Sequence, residues 1–79
     1  MKTKFALAVT SGTSAIKIGL KALGVKPGDE VITQGFNFIA TVEAIIDTGA
    51  KPIMCNVDQS LNMCPHDLKK LISKKTKAI

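Results

Sequence analysis

Short apolar runs alternate with amphipathic helical patterns along the whole chain, and this alternation constrains the fold more than any other feature. Residues 5–9 (FALAV) read as a short buried strand. Residues 13–23 read as a helix, with Ile16, Leu20 and Leu23 on one apolar stripe, Gly19 beside it, and Lys17 and Lys21 facing water. Gly24 suits the end of that helix. Pro27 and Gly28 form a turn, and the β-branched residues 30–34 (EVITQ) read as a second strand. Asn37 is placed to cap a second helix over 37–48, whose apolar face is Phe38, Val42, Ile45 and Ile46. Gly49 ends it. Residues 52–57 read as a third strand. Pro65 opens a third helix over 65–73, where its missing N–H costs little, and TKAI at 76–79 begins another strand. The order β-α-β-α-β-α-(β) predicts a parallel sheet covered by helices, with right-handed crossovers and parallel pairing of the second and third strands. Strand order is not legible in this pattern.

Composition removes several function classes. At 79 residues the chain holds one small domain, and no apolar run approaches the roughly 20 residues that span a bilayer. The opening MKTKFALAV has a faint signal-peptide look, but the apolar run is short and a helix follows with no cleavage site. All eleven basic residues are lysine, and the net charge is +5. No arginine fork is present to read guanine, and no Tyr or Trp interleaves the lysines to stack a base, so a solvated lysine surface is expected rather than a nucleic-acid or membrane interface. Cys55 and Cys64 lack the CxxC spacing and read as free thiols of a reducing, cytoplasmic compartment. One Cys-x-His pair, Cys64 and His66, falls short of the four ligands of a structural zinc site.

The chemistry concentrates at two strand-to-helix joints. The first is TSGTS, Thr10 to Ser14. A helix N-terminus leaves backbone N–H groups unpaired and carries partial positive charge, so it suits a phosphate. Gly12 allows close approach of an anion, and Thr13 and Ser14, with Ser11, offer hydroxyl donors. The same residues also make an ordinary helix cap, and the local chemistry leaves both readings open. The stretch is neither GxxxxGK[ST] nor GxGxxG, and no GxSxG frame surrounds Ser11 or Ser14. The second joint is QGFNFIAT. In a parallel sheet both joints share the carboxyl-end rim, where ligands bind. Phe38 there has two readings, a ring-stacking aromatic or part of the helix's apolar face.

The ordered set SGT-A, L-ALG-PGDEVI, F-AT, GA-P and TKAI, running from about Ala8 to Ile79, resembles the DegT/DnrJ/EryC1/StrS sugar aminotransferases. These are pyridoxal-phosphate enzymes of the aspartate-aminotransferase fold type. The resemblance implies a three-layer α-β-α architecture with a mainly parallel sheet. It implies that residues 1–79 are an incomplete piece of the large domain, from a truncated gene, a split protein or a partial chain. It implies that Ser11, Gly12 and Thr13, with the backbone of Ser14, seat the cofactor phosphate. It also implies that Phe38, in the family's T-F/W-x-A/S-T motif, stacks on the pyridine ring. Asn37 stands where the family usually has Thr. The resemblance further implies keto-sugar substrates linked to nucleotides, an amino donor and a homodimer in the full-length family.

The same resemblance sets what is expected to be lacking. The lysine that the family joins to the cofactor and the acid that holds the pyridine nitrogen protonated lie downstream of the matched stretch, and no lysine here falls in a matching motif. These 79 residues are therefore expected to be inactive alone. In this fold type the first strand does not neighbour the second or third, so residues 5–9 are expected to have unpaired edges. A non-catalytic phosphate- or nucleotide-binding module and a purely structural fragment stand as the alternatives.

Overall fold

Val31, Ile32 and Thr33 are all buried, in a strand whose neighbouring side chains point to opposite faces. A strand buried on both faces belongs at the centre of a parallel sheet with helices on each side. The computed structural model, which describes residues 3–79, has this architecture. The elements run α1 (Gly12–Ala22), β1 (Glu30–Gln34), α2 (Ile39–Asp47), β2 (Lys51–Cys55), α3 (Pro65–Leu71) and β3 (Thr76–Ala78). The sheet order is β2-β1-β3, and both pairings are parallel. Ile32 stands opposite Ile53, and Gln34 opposite Cys55.

This order fixes the layers. The step from β1 to β2 goes one way across the sheet, and the step from β2 to β3 goes back past β1. With right-handed crossovers the two connecting helices fall on opposite faces. Helix α2 packs on β1 and β2 and against α1, and α3 packs on β2. Leu20 of α1, Ala44 and Ile45 of α2, Val31, Val25 and Ala50 form one buried cluster, with Ile16 and Ala78 packed against it.

The three helices stand where the sequence places them to within two residues: α1 begins and ends one residue early, α2 starts two residues late and ends one early, and α3 ends two early. The apolar stripes are narrower than periodicity implied. Leu20 is buried and Ile16 half-buried, but Leu23 is exposed because it is the C-cap of α1, where the chain turns away. On α2 the buried residues are Ala40, Ala44 and Ile45, while Phe38 and Ile46 face outward. Small alanines face the neighbouring layers because α1 lies close alongside. The outer faces of α1 and α2 are joined by an ion pair between Lys17 and Asp47. That contact holds the Asp47 carboxyl below its ordinary value, chiefly through the hydrogen bond from Lys17.

Residues 5–9 do not form the expected strand. Among the described residues no segment pairs with them, and a β ladder exists only with a neighbour. Phe5 is 89% and Leu7 80% exposed. The third strand also ends earlier than expected, at Cys55. Beyond it the chain folds back, and Val57 makes an isolated antiparallel bridge with Met63. Among the described residues no helix is long and apolar enough to cross a membrane.

Gly49 closes α2 with φ +84, and a Cβ added there would lie 2.6 Å from Cγ of Pro27. Backbone sign and space both demand glycine. Gly49→Ala is expected to cost about 1–3 kcal/mol, read as a lower urea midpoint with an unchanged slope. An unchanged midpoint would show that Pro27 yields freely.

Candidate functional site

The joint before α1 is built from its own short side chains. Ser11 is the N-cap, in extended backbone, and its Oγ accepts from the Ser14 backbone N–H at 3.1 Å. The Ser11 hydroxyl donates to Ser14 Oγ at 3.1 Å, and Thr10 Oγ1 lies 3.3 Å from the same oxygen. The helix cap read from the sequence is therefore real. It consumes one of the three N–H groups expected for a phosphate, that of Ser14. The N–H groups of Gly12 and Thr13 carry no hydrogen bond to any described residue. A Cβ at Gly12 would meet nothing within 4 Å, and its φ is not in the left-handed region. The fold thus places no demand for glycine at position 12, unlike position 49. No acidic residue lies in the first turn of α1. Ser11 and Gly12 are exposed, and Thr13 and Ser14 half-buried.

The second joint follows β1. Asn37 does not cap α2: the N-cap is Phe38, with no side-chain cap bond. The Asn37 side-chain amide instead reaches back and donates to the Gln34 carbonyl. The Gln34 amide donates to the Phe36 carbonyl at 2.7 Å, and the Gly35 N–H donates to the Cys55 carbonyl at 2.8 Å. These bonds hold the 34–38 loop to the carboxyl ends of β1 and β2 and leave both aromatics outward, Phe36 65% and Phe38 76% exposed. Of the two readings for Phe38, the apolar-face reading fails: the ring is not part of the packed face of α2. Gln34 and Gly35 were not singled out from the sequence. The signal was an amide at a strand's last residue, three positions before a second amide.

The remaining ionisable groups lie elsewhere. A cavity of about 390 Å³ at the opposite rim is bordered by Asp29, Glu30, Lys51 and Lys75, and touches none of the candidate residues. Asp67 of α3 accepts from the Asn56 N–H at 2.9 Å. The Cys55 thiol is pushed up, first by burial and then by the Asp67 charge. Cys64 and His66 join no group of three possible metal ligands among the described residues.

The sequence matches the profile of the DegT/DnrJ/EryC1/StrS aminotransferase family over residues 1–79. The chain belongs to that family. A Pseudomonas aeruginosa relative, UDP-2-acetamido-2-deoxy-3-oxo-D-glucuronate aminotransferase, is 44% identical over 77 residues, covering 96% of this chain and 21% of the relative. An aminotransferase structure from Psychrobacter cryohalolentis superposes with a TM-score of 0.87 at 35% identity, over 92% of this chain and 19% of that one. NtdA from Bacillus subtilis, solved with bound cofactor PMP, gives a TM-score of 0.80 at 42% identity, over 84% of this chain and 15% of that one. This DegT/DnrJ/EryC1/StrS chain spans about a fifth of the length of the curated relatives it matches. Its α/β fold, with three parallel strands and three helices, is that of the pyridoxal-phosphate aminotransferases of fold type I.

Proposed function

We propose that residues 1–79 are the part of an aminotransferase large domain that carries the phosphate end and the ring-stacking aromatic of a pyridoxal-phosphate site. The enzyme it belongs to would act on nucleotide-linked keto-sugars. The observation that carries this reading is the geometry before α1. Two backbone N–H groups at the positive end of a helix have no partner among the described residues, and they stand beside a glycine for which the fold itself has no use.

In this reading Gly12 and Thr13 donate their N–H groups to the phosphate, and the Thr13 and Ser14 hydroxyls add donors as the anion arrives. Ser11 keeps its cap on Ser14 and so holds the first turn of α1 in place. Phe38 offers its ring face to the pyridine ring, and the bonds of Gln34, Gly35 and Asn37 fix where that face is presented. The cofactor, when bound, supplies the electron sink for amino-group transfer. Phosphate anchoring and stacking orient it and leave its reactive carbon to other residues. No lysine of these 79 residues lies in the family's cofactor-lysine motif, so the chain alone is expected to bind and not to turn over.

Two assays test this. In the first, pyridoxal phosphate is titrated into wild type and Phe38→Ala, with inorganic phosphate as the control ligand. Loss of stacking is expected to weaken the ring-bearing ligand roughly five- to tenfold, from about 1–1.5 kcal/mol, and to leave inorganic phosphate unchanged. Equal weakening of both ligands would show that Phe38 acts on the fold and not on the ring. The second assay is amino transfer from glutamate to a keto-sugar with added cofactor. The expected rate equals the cofactor-only blank, and turnover above it would place the missing catalytic lysine within these residues.

A further inference from the structure

We propose that Asp67 of α3 is a positioning residue for the cofactor ring: through a single peptide group it anchors the loop that presents Phe38. This role rests on Phe38 being the ring-stacking aromatic, as read above. The peptide between Cys55 and Asn56 carries the argument. Its carbonyl, that of Cys55, accepts from the Gly35 N–H at 2.8 Å. Its N–H, that of Asn56, donates to Asp67 Oδ2 at 2.9 Å. Among the described residues no peptide bond is cis, so the carbonyl and the N–H of this planar unit point in opposite directions. Asp67, the 55–56 peptide and Gly35 therefore form one unbroken line of hydrogen bonds. It runs from α3 across the end of β2 to the first residue of the aromatic loop.

Two features set this line apart from ordinary strand and helix bonding. Strand β2 lies at the edge of the sheet, beside β1 alone. The Asn56 N–H, opposite to the carbonyl that meets β1, therefore points to the side where no described strand runs. A half-buried carboxylate takes it there. Asp67 itself sits in the first turn of α3, where an acidic residue ordinarily serves its own helix N-terminus. Here the N-cap, Cys64, makes no side-chain cap bond, and the Asp67 side chain bonds outward to the strand end instead. The Cys64 N–H donates to the Asn56 carbonyl at 2.9 Å. The start of α3 thus holds both backbone groups of Asn56, and with them the peptide that Gly35 binds.

An ionised acceptor makes the stronger hydrogen bond. It also polarises the peptide, so that the carbonyl at the other end accepts more strongly, by about 10–30% per bond. The bond strengthened in this way is the loop's link to the sheet. Among the described residues, the Gly35 bond is the one that joins residues 35–38 to β2; the other hydrogen bonds of the loop run within residues 34–41. A firmer Gly35 bond narrows the range over which the loop can carry the exposed Phe38 ring. A ring already held in place loses less freedom when a ligand stacks on it. Inorganic phosphate has no ring to stack, so its affinity is independent of Asp67.

The test uses Asp67→Leu, which has no acceptor, and Asp67→Asn, which keeps an acceptor without the charge. NMR reads the scalar coupling across the hydrogen bond from the Gly35 nitrogen to the Cys55 carbonyl carbon, and amide exchange at Gly35 and Ile45. In Asp67→Leu the coupling should fall, and exchange at Gly35 should quicken at least about threefold more than at Ile45 in the core. Asp67→Asn should lie between Asp67→Leu and wild type. Pyridoxal phosphate should bind Asp67→Leu about two- to fivefold more weakly, with inorganic phosphate unchanged. In a Phe38→Ala background Asp67→Leu should add nothing, because the residue acts through that ring. A Gly35 coupling unchanged in both variants, equal quickening at Gly35 and Ile45, or an additive loss in the double variant would overturn the proposal. Phe38→Ala binding pyridoxal phosphate as wild type does would overturn the stacking reading, and this role of Asp67 with it, even where the Gly35 bond weakens as expected.

Discussion

Ile45→Ala is expected to cost about 2–5 kcal/mol of folding stability, read as a urea midpoint displaced at constant slope. Ile45 is 2% exposed and sits where α2 meets α1 and β1. It packs in one buried cluster with Leu20, Val31 and Ala44, so the truncation leaves a cavity inside that cluster. A chain of 79 residues has about 4–12 kcal/mol in hand, so this one truncation removes a large share of the total. A cost below about 1 kcal/mol would mean that α2 does not pack as described.

Gly12→Val is expected to do the reverse: keep the fold and lose the ligand. The space around a Cβ at position 12 is open, and the backbone there suits any residue, so stability should hold within about 0.5 kcal/mol. The added branches would occupy the volume an anion needs beside the Gly12 and Thr13 N–H groups. Losing hydrogen bonds to a charged group at about 1.5–3 kcal/mol each predicts a drop in phosphate and pyridoxal-phosphate affinity of about a hundredfold or more. Parallel titrations of wild type and variant, with matched urea curves, check both halves. Unchanged affinity would move the anion away from α1.

Most of the fold was legible because its signals are local. Gly24 and Gly49 mark helix ends, and the structure gives them φ of +80 and +84. Pro65 opens α3, and the β-branched run at Glu30–Gln34 is the central strand. The failures are of another kind. Residues 5–9 have the right composition for a strand, but strand formation depends on a partner, and apolar character cannot report whether one is present. Leu23 and Phe38 fit a helical period but lie at helix ends, where the chain has left the packed face. Strand order was not readable because it rests on contacts between residues distant in sequence, such as Glu30 with Thr76.

At the candidate site the residue types were legible and their bonding was not. Ser11, Gly12, Thr13 and Ser14 sit at the N-terminus of α1 as expected, yet only the structure gives Ser14 N–H to the Ser11 hydroxyl and leaves the Gly12 and Thr13 donors without a partner among the described residues. Asn37 looked like a cap because it stands before a helix. It binds Gln34 instead, because the helix starts two residues later, and there it shapes the loop that presents Phe38.

The most direct measurement is a nitrogen-15 NMR titration of the wild-type chain with pyridoxal phosphate, with inorganic phosphate in parallel. Both ligands should shift the Gly12 and Thr13 amides most, with Ser14 shifting less because its N–H is already taken. Pyridoxal phosphate alone should also shift the 36–38 amides. Shifts confined to the lysines near the C-terminus, with Gly12 and Thr13 unmoved by either ligand, would contradict the assignment and leave TSGTS as a helix cap.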